Sequence, residues 1–219
     1  MTTAPPRIVV LASGGGTNLQ TLIDAQSTGR LSGRIVALVS NNPAAGALAR
    51  AARADIPTAV VNHRHYVSRE AFDLALRGSL DEFDPDLVVL AGFMRILSRD
   101  FVRHYSGCLL NIHPSLLPAY PGLYTHERVL KAGDAEHGAT VHFVTEELDG
   151  GPPVLQGRVP VLADDSRDIL AERVLNQEHR IYIKVVNWFC SGRLKLTHRG
   201  AELDGELLGQ PLDIDSLSV

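Results

Sequence analysis

The chain has 219 residues, 45% of them hydrophobic and 21% charged, with a formal net charge of −4. This is ordinary globular usage with enough apolar content for a core, and it lacks the basic footprint of a nucleic-acid partner. No run approaches the roughly 18 apolar residues of a membrane span, and the polar lead at residues 1–6 has no apolar signal region, so the reading is a cytoplasmic protein with no membrane contact.

Apolar, β-rich runs at residues 8–12, 35–40 and 87–91 alternate with helical patterns, which predicts an α/β fold whose first half is doubly wound around a parallel sheet. Between the first strand and first helix lies Ser13-Gly14-Gly15-Gly16-Thr17-Asn18. Glycines there let backbone N–H groups approach an anion at a helix start, although a plain tight turn would use the same residues. The loop lacks both the dinucleotide fingerprint and the Gly-Lys-Ser/Thr of a triphosphate loop, so a phosphate monoester suits it better than NAD or ATP. Thr17 to Gln20 fits a capping box, Leu19, Leu22, Ile23 and Gln26 mark one helical face, and Gly29 follows the end.

Further helices are expected at 44–54 and 68–82, the second stopped by Asp84-Pro85-Asp86. After the strand at 87–91, residues 91–97 join a glycine to apolar side chains able to receive a flat heteroaromatic group, or simply lead a strand into a helix cap. Cys108 falls in a predicted buried strand and Cys190 near a helix end, both as reduced thiols without metal spacing.

The run Asn111-Ile112-His113-Pro114 carries the most chemistry. The period of two sends Asn111 and His113 to one face and Ile112 to the other, while Pro114 stops the strand where a parallel sheet presents its carboxyl ends. An amide and an imidazole so placed can stabilise an oxygen gaining negative charge, at about 3 kcal/mol per donor. Asp149, in Leu148-Asp149-Gly150-Gly151, can hold the imidazolium and relay a proton, though each of the three alone is also ordinary strand-end or turn chemistry. Residues 114–122 read as a long loop able to close over substrate, strands are expected at 140–145 and 154–161 around a turn at 146–153, and a helix runs from Ser166 to about residue 191 before Gly192. Glu178 lies mid-helix among apolar ridge positions, where a carboxylate can bind sugar hydroxyls or simply face solvent. A hairpin at 194–208 turns at Asp204-Gly205, and the polar end beyond need not be ordered.

Of nine histidines, His63-x-His65 and His137-x4-His142 come nearest to ligand spacing, but no cysteine pair or His-Glu-x-x-His run accompanies them and no metal is expected. His126, His137 and His142 are expected to line or buttress the site. There is no Gly-x-Ser-x-Gly elbow, so direct transfer is favoured over a covalent intermediate.

Taken together, residues 13–20, 87–97, 109–118, 137–143 and 147–151 resemble the folate-dependent phosphoribosylglycinamide formyltransferase family, over about residues 7–200. The resemblance implies a Rossmann-like, mainly parallel twisted sheet of formyltransferase type, forming one domain over 1–219. Its parts would be a phosphate-binding half at 1–105, a catalytic and folate-binding half at 106–200, and a hairpin end and tail at 201–219. It implies that Gly16, Thr17 and Asn18 bind the phosphate of glycinamide ribonucleotide and Glu178 its ribose. Arg69, Met94, Arg95, Ile96, Leu97, Asn111, Thr145, Glu146, Glu147, Leu148 and Asp149 would bind 10-formyltetrahydrofolate, a co-substrate, and Asn111, His113 and Asp149 would be catalytic. The implied reaction moves the formyl group to the ribonucleotide amine in purine biosynthesis. Ala119, Tyr124 and Leu175 depart from the expected bacterial pattern, which bears on individual loop and ribose contacts. The trio is shared with methionyl-tRNA formyltransferases and formyltetrahydrofolate deformylases, so a hydrolase stays open, as does a non-catalytic binder of a phosphorylated metabolite. One exposed sheet edge would suit a homodimer.

Overall fold

The computed structural model describes residues 4–217. The polar lead at 1–3 and the last two tail residues lie outside that range. Strands β1 (Arg7–Leu11), β2 (Arg34–Ser40), β3 (Thr58–Val60), β4 (Leu87–Leu90), β5 (Leu109–His113), β6 (Glu136–Phe143), β7 (Pro153–Pro160) and β11 (Leu212–Asp213) form one sheet. Its order is β11-β7-β6-β5-β4-β1-β2-β3. The run β3-β2-β1-β4-β5 is parallel, β6 pairs antiparallel with both β5 and β7, and β11 is parallel to β7. Strands β8 (Leu194–Thr197), β9 (Gly200–Leu203) and β10 (Glu206–Leu207) make a separate antiparallel meander.

The alternation within β1 explains the layers. Ile8, Val10 and Ala12 face one core shared with helices α1 (Thr17–Ser27) and α6 (Arg167–Cys190), whereas Val9 and Leu11 face another shared with α3 (Arg69–Asp81) and α4 (Arg99–His104). Both faces of the parallel sheet are therefore covered, as its continuous apolar strands require. Helices α2 (Gly46–Arg53) and α5 (Thr125–Ala132) complete the set. The strand order reverses between β1 and β4, so the loops after them diverge and open a crevice at the carboxyl ends of the sheet.

Several expectations need correction. Thr17 is the first helical residue rather than the cap of α1; Gly16 caps with left-handed backbone (φ 76°) and no side-chain bond. Only glycine takes that conformation without strain, so the capping box cannot form. Cys108 sits in the turn just before β5, not in the strand. The stretch after residue 122 contains α5, whose start is set by a left-handed Tyr124 that no local pattern announces. Residues 194–208 make two successive hairpins: His198-Arg199 turns β8 into β9, and Asp204-Gly205, both at positive φ, turns β9 into β10. The tail is built in, because β11 joins the sheet and Leu212, Ile214 and Leu217 pack on the core.

Candidate active site

The crevice holds a cavity of about 680 Å³. Three loop systems converge on it. The first is the glycine loop, where a Cβ on Gly16 would lie 2.7 Å from the Ala47 Cβ, so the close packing of α2 as well as the positive φ demands glycine. Ser13 Oγ donates to Asn41 Oδ1 at 2.6 Å and accepts from the Met94 N–H at 2.8 Å, which ties this loop to the next. Asn18, in the first turn of α1, is buried and donates through Nδ2 to Glu178 Oε2 at 2.6 Å. Its Oδ1 has no hydrogen-bond partner among the described residues. Burial raises the Glu178 carboxyl above its ordinary value, only partly offset by the Asn18 amide.

The second system follows β4. Gly92 takes positive φ, and Met94 and Ile96 stand 66% and 58% exposed against the cavity beside Arg95, with Arg69 contributed from α3. Exposed apolar groups at the rim of a concave site are what a flat ring system would cover.

The third system centres on Asp149. This residue is left-handed (φ 52°) within the turn after β6, and its carboxylate is 9% exposed. Oδ2 accepts the Gly122 N–H at 2.8 Å and lies 3.5 Å from His113 Nδ1, while Oδ1 lies 3.8 Å from His142 Nε2. Burial pushes His142 below the usual imidazole range, so its neutral ring donates Nδ1–H to Phe143 O (2.9 Å) and Nε2 accepts from Asn111 Nδ2 (3.1 Å). That contact fixes the Asn111 amide and leaves its second N–H to donate elsewhere. His113 is 6% exposed, and its Nε2 faces Tyr120 O at 2.9 Å. With Asp149 at Nδ1, both ring nitrogens face oxygen. Of the two contacts, that from Nδ1 to Asp149 is the longer.

The segment 115–120 is held to the sheet by side chains. Thr140 Oγ1 donates to Ser115 O (2.7 Å) and accepts from the Leu117 N–H (3.0 Å), and Gln156 donates to Leu117 O (2.8 Å); the Leu117–Pro118 bond is cis. Behind it, His126 Nδ1 meets His137 Nε2 at 3.0 Å. Burial lowers both, His137 to about 4, so the pair shares one hydrogen bond between neutral rings. Thus His126 lines the cavity, His137 supports it, and His142 buttresses Asn111.

Of the residues singled out in the sequence, Asn18, Arg69, Met94, Arg95, Ile96, Asn111, His113, Leu148, Asp149 and Glu178 line this one cavity. Gly16 and Thr17 stand at the helix start beside it. Leu97 turns instead into the core on the α3 side, and Glu146 pairs with Arg103 at 2.6 Å and Arg99 at 3.4 Å; with Thr145 and Glu147 these side chains lie outside the lining. Sequence reading missed Arg50, which donates to Gly15 O at 2.8 Å, and Thr125 and Arg167 at the cavity wall. None has a local signal, since each reaches the site through long-range packing.

Residues 6–186 match the family model described as formyl transferase. The chain belongs to the formyl transferase family. It is 55% identical to the phosphoribosylglycinamide formyltransferase of Escherichia coli (strain K12) over 201 residues, which is 92% of this chain and 95% of that protein. Among solved structures it is similar to the phosphoribosylglycinamide formyltransferase of Coxiella burnetii, with a TM-score of 0.90 and 48% identity over 95% of this chain and 99% of the other. It also resembles a formyltetrahydrofolate deformylase from Pseudomonas syringae pv. tomato, with a TM-score of 0.85 and 26% identity over 92% of this chain but 66% of that one. This fold is thus found in solved structures with two named activities. Among the described residues no helix is long and apolar enough to cross a membrane.

Proposed function

We propose that this chain, acting as a single domain, transfers the formyl group of 10-formyltetrahydrofolate to the amine of 5'-phosphoribosylglycinamide. The products are formylglycinamide ribonucleotide and tetrahydrofolate, a step of de novo purine biosynthesis. The observation that carries the reading is Asp149 set between His113 and His142, with the Asn111 amide oriented by the latter. The high identity to the Escherichia coli enzyme over nearly the whole length of both chains supports the ribonucleotide as acceptor.

The neutral amine attacks the formyl carbon, forming a C–N bond and a tetrahedral oxyanion. The free N–H of Asn111 and a His113 N–H released from Asp149 receive that charge, each donor lowering the barrier by about 3 kcal/mol. The proton lost by the amine passes through Asp149 and water to the folate nitrogen as its bond to the formyl carbon breaks. Holding both reactants in one cavity supplies the proximity. Asn18 and Glu178 suit the ribose, the start of α1 suits the phosphate, and the apolar wall at 92–96 with Arg69 and Arg95 suits the folate ring and its carboxylates.

The resemblance to a deformylase keeps hydrolysis as the second reading, with water in place of the amine. Loss of the formyl group from 10-formyltetrahydrofolate, followed by absorbance with and without glycinamide ribonucleotide, separates them. Product that requires the ribonucleotide is expected; formate released without it would select the hydrolase.

A further inference from the structure

Asp73 is an acid that the mechanism does not use. It lies on α3 with 2% of its surface exposed. One carboxylate oxygen, Oδ2, accepts the backbone N–H of Ser98; the other, Oδ1, is buried with no hydrogen-bond partner among the described residues. Burying a carboxylate without a directly bonded cation is costly, and desolvation accordingly raises its pKa. A purely structural acceptor for one N–H would be supplied at lower cost by an uncharged side chain, so the location of that N–H matters.

Ser98 ends the wall that follows β4 and caps α4 through Oγ, which accepts from the Phe101 N–H at 3.4 Å. The wall is fastened at its start by Ser13, whose N–H donates to Gly92 O (3.1 Å) and whose Oγ accepts from Met94 N–H (2.8 Å). Asp73 fastens its far end. Between the two fastenings stand Arg95 and Ile96, which face the cavity, and Leu97, which packs inward. One helical turn before Asp73, the same helix supplies Arg69 to the same cavity.

We infer that Asp73 is a positioning residue for the folate side of the cleft: its bond to Ser98 sets the distance between the Arg95–Ile96 wall and Arg69 on α3. This rests on the reading of that wall as the folate side. Asp73 touches neither reactant, so it acts through the geometry of residues that do. The Asn18–Glu178 pair, on the other side of the sheet, does not depend on it.

The test uses the full chain with Asp73→Ala and Asp73→Asn. Alanine removes the acceptor, whereas the asparagine carbonyl keeps it without the charge. Expected for Asp73→Ala is a rise of about tenfold in KM for 10-formyltetrahydrofolate and in the calorimetric Kd for tetrahydrofolate, with KM for glycinamide ribonucleotide within twofold of wild type. Asp73→Asn should restore both folate constants to within about threefold. Should Asp73→Ala not fold, Asp73→Leu removes the same acceptor while filling the space, and the same split is expected. Equal losses toward both substrates, unchanged folate constants, or an asparagine variant as impaired as the alanine one would each overturn the assignment. A wild-type chain that binds no tetrahydrofolate would instead remove the reading of the wall, and this proposal with it.

Discussion

Two buried carboxylates serve the cleft, and they are kept there by opposite means. Asp149 sits in a loop among polar partners: it accepts the Gly122 N–H and lies 3.5 Å from His113, with the neutral His142 ring 3.8 Å away. Glu178 sits mid-helix with a single neutral amide for company. The first is embedded in a network that also fastens the neighbouring loop, so its burial is compensated and its role is to organise others. The second carries an uncompensated desolvation cost, which makes sense if the compensating groups arrive with a polyhydroxylated ligand. On the proposed mechanism, the difference teaches that stability and function are aligned at Asp149 and opposed at Glu178.

The largest expected effect comes from dismantling the Asp149 side. His113→Ala should lower turnover by about 10²- to 10³-fold while leaving both KM values within a few-fold, because in the proposed mechanism the lost hydrogen bond is one that strengthens in the transition state. Steady-state kinetics varying each substrate in turn will check this; activity retained within a factor of a few would remove the imidazole from the mechanism.

On the Glu178 side the signs should split. Glu178→Gln should raise KM for the ribonucleotide about tenfold, equivalent to roughly 1.4 kcal/mol, with little change in KM for the folate. The same variant should melt at a higher temperature than wild type at pH 7. A carboxyl whose folded pKa is raised contributes most favourably below its unfolded value of 4.5, and that contribution is lost as pH rises through the folded value. The gap in melting temperature should therefore narrow as pH falls toward 4.5. A variant less stable than wild type at pH 7 would show Glu178 to be compensated after all.

The His126–His137 pair offers an intermediate case, a buried base and a half-buried one with no carboxylate hydrogen-bonded between them. A histidine lowered from 6.5 to about 4 stabilises the fold fully above 6.5 and loses that contribution as pH falls toward 4. Replacing His137 by Gln should flatten the decline in stability over this window, as measured by urea unfolding at successive pH values. An identical slope would place the acid sensitivity elsewhere.

The smallest change concerns Tyr182, one turn beyond Glu178. Its buried hydroxyl donates to Leu90 O at 2.7 Å. Tyr182→Phe should cost about 1 kcal/mol by denaturant melts, with kinetic constants unaltered, which separates the anchoring of α6 from the chemistry displayed on it.

Much of this was legible in the chain. Asn111 and His113 announce themselves because strand periodicity places them together and Pro114 ends the run, and Asp149 because its glycine-flanked turn is readable locally. Their connection was not. Asn111 is paired with His142 only by the antiparallel register of β5 and β6, residues 31 positions apart, and no local pattern encodes a long-range register. Three-residue β3 was too short and too exposed to show a period, and α5 was hidden by the proline-rich approach to it. Asp73 carries no local signal on α3; only burial and an unpartnered oxygen distinguish it.

The short strand β11 has a practical consequence. Although only Leu212 and Asp213 take part, they pair with Leu155 and Gln156 in the middle of β7 and interrupt an edge that would otherwise be a longer template for intermolecular pairing. A chain cut at residue 211 would keep every residue of the cleft and lose that cover. Its defect should show first as self-association on concentration, before any change in catalysis, so tags and truncations are better placed away from this end.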